Sequence, residues 1–183
     1  MPFILLNIFN RLKRLSGISL VETLITVVIF SILVGGVYLT LTVGIGSWQA
    51  NNVRVELQQE LRKSMDWMIA DLRQSGSSTI TNVPADGNWY STITFKTSSG
   101  VSGGNIVWSA NTIQYIVGGN NSNQLQRING AQTKIIAQSI QSLQIRRQAS
   151  TSNIVEISMQ AQKNTSTGHQ ITNSLNFEAE LRN

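Results

Sequence analysis

Lys13-Arg14-Leu15-Ser16-Gly17-Ile18-Ser19-Leu20-Val21-Glu22-Thr23-Leu24-Ile25-Thr26-Val27-Val28-Ile29-Phe30 joins a basic cluster to an apolar run that holds one early carboxylate. The apolar character continues to Ile45, and no charged side chain occurs between Thr23 and Val53. At 1.5 Å rise per residue, about 20 apolar residues cross a hydrocarbon core of roughly 30 Å, so this run predicts a transmembrane helix. Arg11, Lys13 and Arg14 precede it and predict a cytoplasmic N-terminus, with the rest of the chain outside. An ordinary secretory signal peptide has a shorter apolar stretch closed by a small-residue cleavage site. Here the run is too long, and no Ala-x-Ala-like site stands clearly at its far end. Glu22 is the second anomaly, because a charge inside such a segment is costly unless it is paired or lies near the interface.

The stretch resembles the leader of type IV prepilins and type II secretion pseudopilins. That resemblance implies a cut between Gly17 and Ile18 by a membrane-embedded prepilin peptidase, and methylation of the new N-terminus at Ile18. It also implies that Glu22 neutralises the terminal ammonium of an adjacent subunit during assembly. Ile18 stands where phenylalanine is usual. The arrangement makes physical sense, since a helix N-terminus carries positive dipole character and a carboxylate four residues beyond a new α-amino group can meet that charge. Gly35-Gly36 interrupts the apolar run and Gly44 and Gly46 follow, each costing up to about 1 kcal/mol of helix propensity relative to alanine. Two readings stay open at Gly35 and Gly36: local melting of the helix on assembly, which the resemblance implies, or close packing of another helix over Ser31 and Gly35.

Beyond Ile45 the pattern becomes amphipathic. Val53, Leu57, Leu61, Met65, Met68 and Leu72 recur at helical spacing and predict one apolar stripe. Arg54, Glu56, Glu60, Arg62, Lys63, Asp66, Asp71 and Arg73 fall mostly on other faces, with Arg62 and Asp66 spaced as an i,i+4 ion pair. Gly76 predicts the C-terminal stop. One helix is therefore expected from Ile18 to about Ser75. The strings Glu56 to Arg62 and Met65 to Gln74 are similar to the minor subunits called J in type II secretion and W in type IV pili, which commonly end this helix on an Asp-Leu-Arg-Gln-like sequence.

From Trp89 onward the period changes to two. Ile93 and Phe95, then Ile113, Tyr115 and Val117, then Val155, Ile157 and Met159 alternate with mostly polar residues and predict half-buried strands. Asp86-Gly87, Gly103-Gly104, Gly118-Gly119, Asn129-Gly130 and Thr167-Gly168 predict turns between them. Ile135 to Ile145 is ambiguous; a turn or short helix to about Gln141 and then a strand through Arg147 is the favoured reading. A last strand is expected over Leu175 to Leu181, burying Leu175, Phe177, Ala179 and Leu181. The spacing of these segments and the closing Glu180-Leu181-Arg182-Asn183 are also similar in layout to J and W subunits. The expected fold is α+β and pilin-like: a long N-terminal helical spine packed on an antiparallel β-sheet head. Its layout is a leader over 1–17, a transmembrane and filament-core helix over 18–46, an amphipathic half over 47–76 and a head over 77–183.

Composition narrows the chemistry. The formal charge is +5 from 14 basic and 9 acidic residues; 14 less Arg11, Lys13 and Arg14 leaves 11, so the charge left after cleavage is small. No basic stripe with interleaved aromatics remains to suggest a nucleic-acid surface. Without cysteine, neither a disulfide nor a thiolate metal site forms. His169 is the only histidine, which excludes a histidine metal cluster and leaves a Ser-His-Asp triad improbable. Asp86 with Asn82 and Asn88 falls short of a calcium loop and reads as a turn. Trp89, Trp108 and Tyr115 read as core before they read as a carbohydrate or partner surface. No phosphate loop is present. The expectation is a structural subunit with no catalytic site and no cofactor, an initiating or tip-located minor pilin or pseudopilin. Its partners would be prepilin peptidase, other pilin-like subunits, an inner-membrane assembly platform and, before assembly, the lipid bilayer. The alternative is an exported binding or adhesin domain on a plain signal anchor.

Overall fold

The computed structural model describes residues 19–182. The leader over 1–17 and the Gly17–Ile18 junction lie outside the described residues. The chain divides into one unit ending at Ser47 and a second over Trp48–Asn183. A single helix, α1, covers Leu20–Leu72.

In the first unit α1 is apolar on every side, and Leu20, Val21, Leu24, Phe30, Leu33, Val37 and Leu41 are all exposed. This helix is long and apolar enough to cross a membrane, and over the first unit none of its side chains enters a core among the described residues. Most of its serine and threonine hydroxyls are satisfied locally. Thr26 donates to the Glu22 carbonyl at 2.8 Å, Ser31 to Val27 at 2.7 Å, Thr40 to Gly36 at 2.9 Å and Thr42 to Tyr38 at 2.8 Å. Such bonds to the carbonyl four residues back let hydroxyls sit in an apolar solvent without an orphaned donor.

In the second unit the same helix becomes one-sided. Leu57, Leu61, Met68 and Leu72 are fully buried, while Val53 and Met65 are half-buried, so the anticipated stripe forms. Ser64 and Asp71 join it as buried polar residues. Ser64 returns its hydroxyl to the Glu60 carbonyl. Arg62 and Asp66 do not pair among the described residues.

The helix stops at Leu72, earlier than expected, and by a different device. Gln74 N–H bonds to the Asp71 carbonyl, and Ser75 N–H and hydroxyl both bond to the Leu72 carbonyl, tightening the last turn. Gly76 is extended at φ −109° and ψ 156°, so it is not a left-handed cap. A Cβ there would lie 2.8 Å from two carbons of the Trp108 indole, and that close approach is what glycine permits.

The strands are β1 (Thr92–Phe95), β2 (Ser98–Ser102), β3 (Asn105–Trp108), β4 (Ile113–Gly118), β5 (Gln124–Asn129), β6 (Gln132–Ala137), β7 (Ile140–Gln148), β8 (Thr151–Asn164) and β9 (Gln170–Glu180). They form a sheet in the order β1-β4-β5-β6, a hairpin of β2 and β3, and a sheet in the order β7-β8-β9, with every pairing antiparallel. Gly103 and Gly104, both at positive φ, turn the β2–β3 hairpin. The ambiguous stretch contains no helix: β6 and β7 are separated by Gln138 and Ser139 alone, and Ser139 takes the left-handed conformation at φ 62°. The β-branched pair Ile135 and Ile136 favours the strand there. The last strand begins five residues earlier than expected and runs in unbroken register with β8 from Ile154↔Glu180 to Asn164↔Gln170. Ala179 and Leu181 are buried as expected, while Leu175 and Phe177 are half-buried.

Ile93, Phe95, Tyr115, Leu125, Ile145, Val155, Ile157 and Met159 meet the helix stripe in one core. One polar cluster crosses it. Asp71 Oδ2 accepts from the Tyr115 hydroxyl at 2.6 Å and from Arg127 Nε at 2.6 Å, and Arg127 also reaches Asp71 Oδ1 at 3.3 Å. Burial and then the Asp71 hydrogen bond push the Tyr115 phenol up, and the Asp71 hydrogen bond raises the Arg127 guanidinium. The cluster ties the last turn of α1 to β4 and β5. The outer edge of β1 is closed by the chain itself: Thr81 N–H bonds to the Thr94 carbonyl, and Asn82 Oδ1 accepts from Thr94 N–H at 2.6 Å.

Replacing Asp71 by alanine leaves a guanidinium and a phenol without their anion, and is expected to destabilise the head by roughly 3 kcal/mol. Tyr115→Phe removes one hydrogen bond and is expected to cost about 1 kcal/mol. Urea midpoints of the detergent-solubilised chain measure both; equal losses for the two variants would contradict the assignment of Asp71 as the hub. Gly76→Ala is expected to lower stability by about 1–3 kcal/mol through overpacking against Trp108, and Trp108→Leu in the same chain to recover part of the loss. Additive losses in that pair would show that the indole is not what the Cβ meets.

Candidate functional site

Ser19 precedes the first turn of α1, and its hydroxyl accepts the Val21 N–H at 3.3 Å, as an N-cap does. Glu22 follows three residues later, in the first turn, where the helix dipole favours a carboxylate. In a capping box a glutamate at this position bonds back to the cap N–H. Here the Glu22 carboxylate has no hydrogen-bond or ion-pair partner among the described residues, and it stands among exposed apolar side chains. Of the predicted site residues, Glu22, Gly35 and Gly36 are described, whereas Gly17 and Ile18 are not.

The helix continues unbroken through Gly35 and Gly36. A Cβ at either position would meet nothing within 4 Å, so no contact within this chain requires glycine there. The missing side chain at Gly36 leaves a shallow apolar groove bordered by Ile32, Leu33, Val37, Thr40 and Leu41.

The Asp86 carboxylate accepts from Asn88 N–H at 2.9 Å, Asn88 Nδ2 at 2.9 Å and the Tyr90 hydroxyl at 2.7 Å. The Tyr90 bond first, and then those from Asn88, hold Asp86 below the usual carboxylate range, and Asp86 in turn pushes the Tyr90 phenol up. Asn82 is turned to the β1 edge, so Asp86, Asn88 and Asn82 do not converge as oxygen ligands. No group of three or more His, Cys, Asp or Glu side chains fit to hold a metal occurs among the described residues. His169 belongs to the turn after β8, where its N–H bonds to the Thr165 hydroxyl.

The three aromatics have three different fates. Tyr115 is core and stacks on Phe95 with centroids 6.3 Å apart. Trp108 covers Gly76. Trp89, expected in the core, is instead 44 % exposed, with the Arg146 guanidinium 4.5 Å from its ring centre. Arg146 is held in place by Glu156 at 2.6 Å, and that bond lowers the Glu156 carboxyl. Its neighbour Arg147 turns the other way and is buried, donating to the Ser152 and Val83 carbonyls. The pair that looks alike in sequence is split by strand alternation, one on each face of β7.

A family model described as the prokaryotic N-terminal methylation motif matches residues 12–38. A comparison with curated proteins found no match to the chain. The matched residues take in Gly17, Ile18 and Glu22, and end just past Gly35 and Gly36. Together with a long apolar helix near the N-terminus, they fit a membrane-anchored protein. Over these residues the motif indicates a type IV pilin-like subunit of the kind that prepilin peptidase processes.

Proposed function

We infer that this chain is a minor pilin-like subunit that begins or tips a type IV pilus or a type II secretion pseudopilus. The observation that carries the reading is the methylation motif set directly on an exposed apolar helix. Prepilin peptidase cuts between Gly17 and Ile18, and Ile18 is methylated. The freed helix then leaves the bilayer for a filament of related subunits through an inner-membrane assembly platform. Glu22 answers the new terminal ammonium of a neighbouring subunit, a match that exists only after the leader is gone. Gly36 leaves a groove in which an adjacent helix rests, and Gly35 and Gly36 are also the points where the helix yields most readily on assembly. The leader end is cytoplasmic and the head lies outside, in the periplasm or at the cell surface. The minor role rests on the similarity of the spine and head layout to J and W subunits.

Mass spectrometry of the chain from cells containing prepilin peptidase is expected to find a first residue of methylated Ile18. An intact Met1 in such cells would overturn the reading. Glu22→Val is expected to leave the membrane level of the chain unchanged while reducing its share of sheared filaments to a small fraction of wild type. Unchanged incorporation, measured by immunoblot, would remove Glu22 from the assembly step.

A further inference from the structure

Two concavities share Trp89 in their lining. The first, of about 490 Å³, is lined by Arg146, Glu156, Asn176 and Glu178 among others. The second, of about 550 Å³, is lined by Trp89, Thr92, Ser122, Gln141 and Gln144 with intervening residues of β1, β4 and β7, and holds no Asp, Glu, Lys, Arg or His. We propose that this second concavity binds an uncharged saccharide, one sugar face against the Trp89 indole and its hydroxyls on the surrounding amide and hydroxyl side chains.

The chemistry of the lining selects the ligand. A charged ligand finds no counter-charge there and loses its hydration uncompensated. A purely apolar one strands the hydroxyls and amides around it. Serine, threonine and glutamine side chains each supply both donors and acceptors, which is what a polyol needs, and an indole matches the C–H face of a pyranose. Neutrality extends well beyond the basin, because the 97–126 segment, which supplies β2, β3, β4 and the start of β5, carries no charged residue or histidine.

The indole is also prepared in advance. Arg146 lies over its ring and lines the first concavity but not the second. With Arg146 fixed by Glu156, the ring is held before any ligand arrives, which lowers the ordering cost of binding. At the rim, Asn121 and Ser122 occupy left-handed backbone at φ 62° and 51°, a strained loop that fixes where the Ser122 side chain stands.

Main-chain pairing disfavours an extended peptide as the occupant. Tyr90 and Ile145 already exchange both of their main-chain hydrogen bonds at 2.8 Å, and the β1 edge is closed by Thr81 and Asn82. Added strands need free N–H and C=O groups, and those of Tyr90, Ile145 and Thr94 are spent. Recognition at this basin therefore runs through side chains. This inference is independent of the filament reading.

The test uses the full chain in lipid nanodiscs, which avoid sugar-based detergents. Cellotetraose, maltotetraose and tetra-N-acetylchitotetraose are titrated beside tetragalacturonate, with binding read by saturation-transfer NMR and tryptophan fluorescence. At least one neutral tetrasaccharide is expected to bind, and tetragalacturonate not to. Trp89→Ala is expected to weaken that binding roughly tenfold or more. Gln144→Ala, at an exposed side chain that the fold does not use, is expected to weaken it about threefold with circular dichroism unchanged. No neutral saccharide bound at about 10 mM would overturn the proposal, as would tighter binding of the acidic probe. Binding that survives both substitutions, or capture of an uncharged peptide library at Trp89 in place of the saccharides, would do the same.

Discussion

Asp71 is a carboxylate at the end of a helix, the place where the helix dipole disfavours it, and it is nonetheless buried. It is kept there by Arg127 and Tyr115, reached from β5 and β4, so three elements distant in sequence agree on one anion. The rest of the head is arranged around that agreement. Tyr115 stacks on Phe95 of β1. Arg127 and Lys134 flank Trp67 on the helix, the Lys134 ammonium 4.0 Å from its ring centre. Apolar stripes alone tolerate a helix sliding along a sheet; a buried ion pair with a shared phenol does not, because any shift leaves charge without a partner. Nearer the start of this unit, on the same side of the helix as Trp67, Glu60 Oε2 accepts the Gln138 N–H, Lys163 bonds Glu56, and the Ser166 hydroxyl bonds Gln49.

Much of this architecture was legible in the sequence because it depends on periodicity and on glycine. The apolar run, the stripe from Val53 to Leu72 and the strands around Ile93, Tyr115 and Ile157 each follow a period that one face of one element must satisfy. Turn glycines marked half of the joins between strands. What the sequence hid were features whose meaning depends on a distant partner. Asp71 sits in a string of charged helical residues and looks like any solvated one; nothing local tells of Arg127, fifty-six positions away. Gly76 looked like a helix stop, and its true constraint is Trp108, reached only when the hairpin folds back. No glycine marks the join between β6 and β7, where Ser139 takes the left-handed conformation, so that stretch was read as a turn or short helix before the strand.

The candidate site was legible in a different way. Gly17, Ile18 and Glu22 are candidates by their order along the chain, and the N-terminal motif match spans all three positions. Trp89 was misread because strand alternation was taken to put aromatics inside. It stands just before β1, where main-chain pairing with β7 has begun but the alternation of β1 has not, and its ring finds Arg146 and not the core.

The hydroxyls of Thr26, Ser31, Thr40 and Thr42 bear on how a helix can change solvents. Each is bonded to a carbonyl of its own helix, and none asks anything of what surrounds it. Moving such a helix between lipid and protein exchanges only one apolar contact for another. The barrier to that transfer then falls mainly on the one group in the segment that carries a charge. Extraction from a bilayer becomes a question about Glu22, and the charge-free residues from Thr23 to Val53 that follow it ride along as a nearly neutral cargo.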